Sequence, residues 1–161
     1  MAKIMMKLFI ALSITCTSAF ATERIGRLGV GVSNQLKNDL TSLSFKIQKS
    51  RSFAFGGLLN IDTSDTGGWG AGLKFYKNVF EEPQANFYFS FLGALTNRKL
   101  SNGNEESGFQ IDLTGGSEFS FTGLQSIGVS FETGISFNKM DEFAVQTTGS
   151  AFIFGSIHFY L

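Results

Sequence analysis

The stretch Ser126-Ile127-Gly128-Val129-Ser130-Phe131-Glu132-Thr133-Gly134-Ile135-Ser136-Phe137 decides the fold. Ile127, Val129, Phe131, Thr133, Ile135 and Phe137 fill the odd positions, and Ser, Gly and Glu132 fill the even ones. Successive residues of a strand point to opposite faces, so a period of two held this long gives a strand with one apolar face. A helix would scatter the same Phe, Ile and Val residues around its circumference.

The pattern recurs in both directions from there. Leu28, Val30 and Val32 share one face of 26–34; Leu43, Phe45 and Ile47 share one face of 41–49. Phe53, Phe55, Leu59 and Ile61 do so in 52–61, and Trp69, Ala71, Leu73 and Phe75 in 69–78. Phe87, Phe89, Phe91 and Leu95 follow in 85–96, then Phe109, Ile111, Leu113 and Phe119 in 108–120. Stretch 144–161 ends the series with Ala151, Ile153, Ile157, Phe159 and Leu161. Between the strands, tight turns around Lys49–Arg51, Asn78–Pro83 and Thr122–Leu124 alternate with polar loops at Gln35–Asp39, Asp62–Gly68, Asn97–Ser107 and Asn138–Glu142. Eight strands joined in this way predict an all-β chain, an eight-stranded antiparallel up-and-down β-barrel. No linker and no repeat of fixed period interrupts the pattern.

Alternation alone fits a barrel with lipid outside or a soluble barrel with an apolar pocket inside. The polar face separates the two. A soluble outer surface carries about 25–35% charged residues. Here the polar face is Ser, Gly, Thr, Asn and Gln with scattered charges, which suits a crowded narrow lumen. The other face is rich in Phe; it would overfill a small lumen but can coat the outside. Strands of about 9–11 residues fit a bilayer, and closure leaves no backbone group unpaired in it. The pattern predicts a transmembrane barrel.

The beginning of the chain reads differently. Lys3 and Lys7 precede an apolar run at Leu8–Ile14, small residues follow, and Ala19-Phe20-Ala21 is an A-x-A pattern. These are the parts of a secretory signal peptide over 1–21, cleaved after Ala21. A membrane anchor would need an apolar run of about 20 residues. Ser13-Ile14-Thr15 before Cys16 is a poor lipidation box. Without the export segment, residues 22–161 form one domain with no cysteine and therefore no disulfide. Eleven of the 13 Lys plus Arg remain against 13 Asp plus Glu, a net charge of −2 that excludes a nucleic-acid binder. The single Pro against 19 Phe agrees with a strand-rich chain.

The run Gly116-Ser117-Glu118-Phe119-Ser120-Phe121-Thr122-Gly123-Leu124-Gln125-Ser126-Ile127-Gly128-Val129-Ser130-Phe131-Glu132 resembles a hairpin of the small OmpA-like and OmpX-like outer-membrane barrel domains. Ile153, Ile157, Phe159 and Leu161 resemble the C-terminal assembly signal of such barrels, departing from it in the final Leu and in Gly155. The resemblance implies a fold and a location: a Gram-negative outer membrane, with its lipid and its assembly machinery as partners. It implies no catalytic motif.

Chemistry-bearing residues are few. Arg27, Lys46 and Lys74 share the inward face with Asp112, Glu118 and Glu132, so three cations and three anions can neutralise one another in the lumen. Folding the 78–84 hairpin brings Lys74 towards Tyr88. His158 is the only histidine, with Ser156 on the same face. The pair has the residue types of lipid-modifying barrels, but its predicted position at the periplasmic end is wrong for outer-leaflet chemistry. The reading is a lumen polar network, not a catalytic site. Gly67-Gly68-Trp69-Gly70 lacks the Lys-Ser or Lys-Thr of a phosphate loop, and Asp62 with Asp65 is too small a donor set for calcium. Trp69, Phe80, Phe121 and Tyr160 fall at strand ends, where an aromatic girdle is expected. No cofactor or metal is expected, and the barrel is expected to be a monomer. The leading expectation is a non-enzymatic structural or surface-interaction component of the envelope. The alternatives are a lipid-modifying or lipid-carrying barrel and a soluble periplasmic lipocalin-like binder.

Overall fold

A computed structural model of the chain describes residues 24–148 and 153–161. The expected export segment, 1–21, and Ala151 lie outside the described residues. The strands are β1 Leu28–Ser33, β2 Ser42–Gln48, β3 Phe53–Asp62, β4 Gly68–Glu82, β5 Ala85–Lys99, β6 Glu105–Phe121, β7 Leu124–Lys139, β8 Phe143–Thr147 and β9 Phe154–Tyr160. Consecutive strands pair antiparallel from β1 to β8, except that β9 takes the place beside β7 below β8. β8 pairs with Ile135–Lys139 and β9 with Ile127–Glu132, so the two are successive segments of one stave. β9 also pairs with β1, which closes an eight-stranded barrel.

The register fixes its girth. Hydrogen-bonded neighbours lead from Gly128 through His158, Gly31, Ser44, Leu58, Gly72, Ala94 and Gln110 to Asn138, ten residues further along β7. That stagger over eight staves tilts the strands by about 40° and leaves an interior that side chains fill.

Alternation decides which residues do so. Along β7, Ser130, Glu132, Ser136 and Asn138 are buried, while Phe131 and Ile135 are exposed. The same parity holds in β2, where Ser44 and Lys46 are buried and Leu43 is exposed. Among the described residues, 32 large apolar side chains are exposed against nine buried hydrophobic ones, so the molecule is apolar outside and polar inside.

The single strand expected over 144–161 is two, β8 and β9, and three of the expected connections also differ. The turn expected over Asn78–Pro83 is only Pro83-Gln84, because the β4–β5 ladder resumes beyond a bulge at Val79 and pairs Phe80 with Phe87. The loop expected over Asn97–Ser107 shrinks, because Asn97, Arg98 and Lys99 pair with Ser107, Glu106 and Glu105. Cross-strand contacts hold that extension: Asn97 Nδ2 to Ser107 Oγ at 2.9 Å and Arg98 Nη2 to Glu106 Oε2 at 3.1 Å. The polar loop expected at Gln35–Asp39 turns into the lumen, burying Gln35, Leu36 and Asn38. Tyr160, expected in an outer girdle, points inward and is buried; Trp69, Phe80 and Phe121 are exposed.

Candidate functional site

The lumen is a stack of side chains in two linked ionic clusters. Three cations, Arg24, Lys46 and Lys74, and three anions, Asp112, Glu118 and Glu132, are buried among the described residues. Such charges are tolerated only when neutralised and hydrogen-bonded.

The lower cluster is built on Glu118 of β6. Arg24 Nη1 and Lys46 Nζ each pair with its carboxylate, and Tyr160 donates to Oε1 at 2.6 Å. Arg24 comes from the segment before β1. Its guanidinium stacks 4.1 Å over the Tyr160 ring, and Nη2 donates to the Ile127 carbonyl at 3.0 Å. Gly128 opposite makes room: a Cβ there would lie 2.2 Å from Glu118 Oε1 and 2.8 Å from Arg24 Nη1.

The upper cluster is built on Glu132 of β7. Lys74 Nζ reaches both carboxylate oxygens at 2.7 and 2.8 Å, and Tyr88 donates to Oε1 at 2.9 Å. Thr114 and Ser90 hydroxyls donate to Oε2 at 2.7 and 3.0 Å. Lys74 and Tyr88 thus meet on Glu132; in the ladder Lys74 faces Leu92, and Tyr88 faces Asn78. The rings of Tyr76 and Tyr88, edge to face at 5.3 Å, lie between the clusters. Lys46 sits 4.5 and 4.8 Å above those two rings, and Lys74 is 5.1 Å from Tyr76, within cation–π range.

The inward loop joins the stack from above. Lys74 donates to Gln35 Oε1 at 2.6 Å, and Gln35 Nε2 donates to Asp112 Oδ2 at 2.8 Å. Gln110 Nε2 donates to the same oxygen at 2.8 Å. Asp112 is therefore connected to Lys74 through an amide and not by direct contact.

Of the residues expected in the lumen, Lys46, Lys74, Tyr88, Asp112, Glu118, Glu132 and His158 are buried together. Arg27 is not among them. It lies half-buried at the rim and donates to the carbonyls of Tyr160 and Leu161 at 2.7 and 3.2 Å. Arg24 takes the lumen position instead, which alternation could not show because Arg24 precedes the first strand. Gln35 was also missed; its only signal was its place in a polar loop with Leu36. Ile153, Ile157, Phe159 and Leu161 are exposed on the outward face.

His158 does not pair with Ser156. Its Nε2 lies 2.8 Å from Ser44 Oγ across the β1 stave. Its Nδ1 has no hydrogen-bond partner. A serine–histidine pair works as nucleophile and base when a third group orients the ring and substrate can reach the hydroxyl. Here no carboxylate holds Nδ1, and both residues are at most 1% exposed. A recess of about 510 Å³ on the outer face, lined by Phe45, Leu59, Ala71, Leu73, Leu95 and Ile111 among others, carries no titratable group. His158→Gln is therefore expected to leave the lipid A profile of a producing cell unchanged, read by mass spectrometry. An acyl pattern that shifts with His158 and Ser44 would overturn that reading.

No protein-family model, curated protein or solved structure matches the chain.

Proposed function

We propose that this chain is a small outer-membrane β-barrel of the OmpA-like or OmpX-like kind, a non-enzymatic structural or surface-interaction component of a Gram-negative envelope. The observation that carries the proposal is the inverted polarity of a closed barrel. Phe89, Leu73 and Ile61 are 65%, 63% and 77% exposed, whereas Glu118, Glu132 and Lys74 are at most 3% exposed. Soluble monomers rarely expose contiguous apolar patches above a few hundred Å². A continuous apolar coat needs an apolar surroundings, and closure of the sheet satisfies the backbone there.

The ends support the same orientation. Turns at Lys49–Ser52, Pro83-Gln84 and Thr122-Gly123 share one end with Leu28 and Tyr160, and the longer connections lie at the other. Outer-membrane barrels keep short turns on the periplasmic side and longer loops outside. A soluble lipocalin-like binder needs an apolar lumen, and this one holds two ionic clusters. The proposed partners are outer-membrane lipid and the assembly machinery, the latter reading Ile153, Ile157, Phe159 and Leu161.

The expected result is that the protein fractionates with the outer membrane, needs detergent for extraction, and migrates differently on gels before and after boiling. Recovery as a freely soluble periplasmic monomer would reject the proposal.

A further inference from the structure

Most strand glycines among the described residues are small for a visible reason. A Cβ at Gly116 would lie 2.5 Å from Glu132 Cγ, and one at Gly128 2.2 Å from Glu118 Oε1. Three are not crowded in this way. At Gly93, Gly115 and Gly155 the nearest atom to a Cβ would be 3.8, 3.5 and 3.7 Å away. All three stand in outward rows: between Phe91 and Leu95, Leu113 and Ser117, and Ile153 and Ile157. Each lines a separate recess in the apolar coat. Glycine weakens a strand interior and often marks a place where a ligand comes close, so these positions leave room for something outside the wall.

The recess at Gly115 differs from the other two in its polarity. It encloses about 300 Å³ and is lined by Phe87, Ser117, Phe131 and Ile153 besides the glycine. Ser117 faces outward, since Glu118 beside it faces the lumen, and its ladder neighbours are Phe87 and Phe131. Between them it is 9% exposed, and among the described residues its hydroxyl has no hydrogen-bond partner. A hydroxyl shut away without a partner costs free energy, and in hydrocarbon no solvent supplies one. Ser117 lies two residues above Phe119, about 5 Å along the barrel axis at this tilt, just inside the aromatic residues of the turn end. The outward row Lys77–Phe89–Gly115 brings an exposed cation to the same side. Strand spacing and stagger put the Lys77 and Ser117 backbones at nearly one height, on the order of 12 Å apart. The long lysine stem can lie along the coat and cover part of that gap.

We infer that the Gly115 recess is a binding site for one glycerophospholipid of the periplasmic leaflet. Ser117 donates to an ester carbonyl, the adjoining part of that acyl chain fills the space over Gly115, and Lys77 holds the phosphate. The inference rests on the reading that lipid covers the apolar coat with the turn end at the periplasm. The partner that can reach Ser117 is then the lipid whose ester groups lie at the depth of that end. It supplies the acceptor that the hydroxyl lacks, the hydrocarbon that fits an apolar recess, and the anion that Lys77 can meet.

The test is native mass spectrometry of the full chain released from detergent micelles. Palmitoyl-oleoyl-phosphatidylethanolamine is added in competition with its dialkyl ether analogue, which lacks both ester carbonyls. The unaltered protein should retain one ester lipid about fivefold more than the ether lipid, the effect of one hydrogen bond. Ser117→Ala should retain the two equally, at the ether level. Lys77→Gln should weaken both by the same factor and keep the ester preference. Gly115→Leu puts a side chain into open space, so the barrel should still show its unboiled gel form but lose the retained lipid. Equal retention of the two lipids by the unaltered protein, or an ester preference that persists in Ser117→Ala, would overturn the site and leave the membrane reading intact. A chain that stays in solution without detergent and retains neither lipid would remove the membrane reading, and the site with it.

Discussion

Replacing Glu118 by Gln is expected to destabilise the folded barrel by about 3–5 kcal/mol, the cost of leaving buried charges without their partner. Arg24 and Lys46 both pair with this one carboxylate, and both side chains are 4% exposed. Neither can turn to water. The Tyr160 hydroxyl loses a charged acceptor at the same time. The tyrosine rings beside the two cations soften the loss but supply no negative charge. By contrast, the exposed Arg98–Asp39 contact at 3.5 Å should contribute no more than about 1 kcal/mol. Urea unfolding of the barrel in detergent, followed on unboiled gels, gives both values. Removing one stranded cation should recover part of the loss, so Glu118→Gln with Lys46→Met should be less damaging than the two separate costs added together. A Glu118→Gln barrel within 1 kcal/mol of the parent would mean that the lower cluster does not hold the lumen together.

The partition between wall and lumen was legible because it follows from parity. Once Phe131 faces out, Glu132 must face in, and the same step places Lys46 beside Phe45 and Lys74 beside Leu73. Parity also carries the inward turn of Tyr160, since Phe159 is outward; alternation along the strand outweighs position at its end. What parity cannot give is the stagger. Which lumen residues meet depends on a ten-residue offset around the barrel, and no single strand encodes it. For that reason His158 meets Ser44 and not the nearer Ser156, and Lys74 meets Tyr88 only through Glu132. Arg24 and Gln35 were hidden for a different reason. Both lie outside strands, where burial is decided by the charges and amides waiting in the lumen. The break in the last stave was hidden too, because apolar residues recur at odd positions in both β8 and β9.

The adjacent pair Phe131 and Glu132 gives the sharpest test of which face meets lipid. Phe131 is 50% exposed, its ring 6.3 Å from that of Phe119 on the outer surface, while Glu132 is 2% exposed. If the coat is lipid-covered at this depth, Phe131→Arg should cost about 2–4 kcal/mol and slow insertion, because a guanidinium must be held in hydrocarbon. On a water-covered face the same change would be nearly neutral. Glu132→Gln works through the lumen instead. It strips the charge partner from Lys74, but that ammonium keeps the Gln35 carbonyl at 2.6 Å, and only one cation is stranded. Its cost should therefore fall below that of Glu118→Gln. Cysteine probes separate the faces without a change of charge. A spin label at Phe131→Cys should relax faster with oxygen, which concentrates in hydrocarbon, than with a water-soluble nickel chelate. Ser130→Cys, 2% exposed in the parent and close in size to serine, should resist a water-soluble thiol reagent until the barrel is unfolded. Rapid labelling at 130, together with preferential relaxation by the nickel chelate at 131, would mean that water covers both faces. The outward apolar coat would then need a protein partner and not a bilayer.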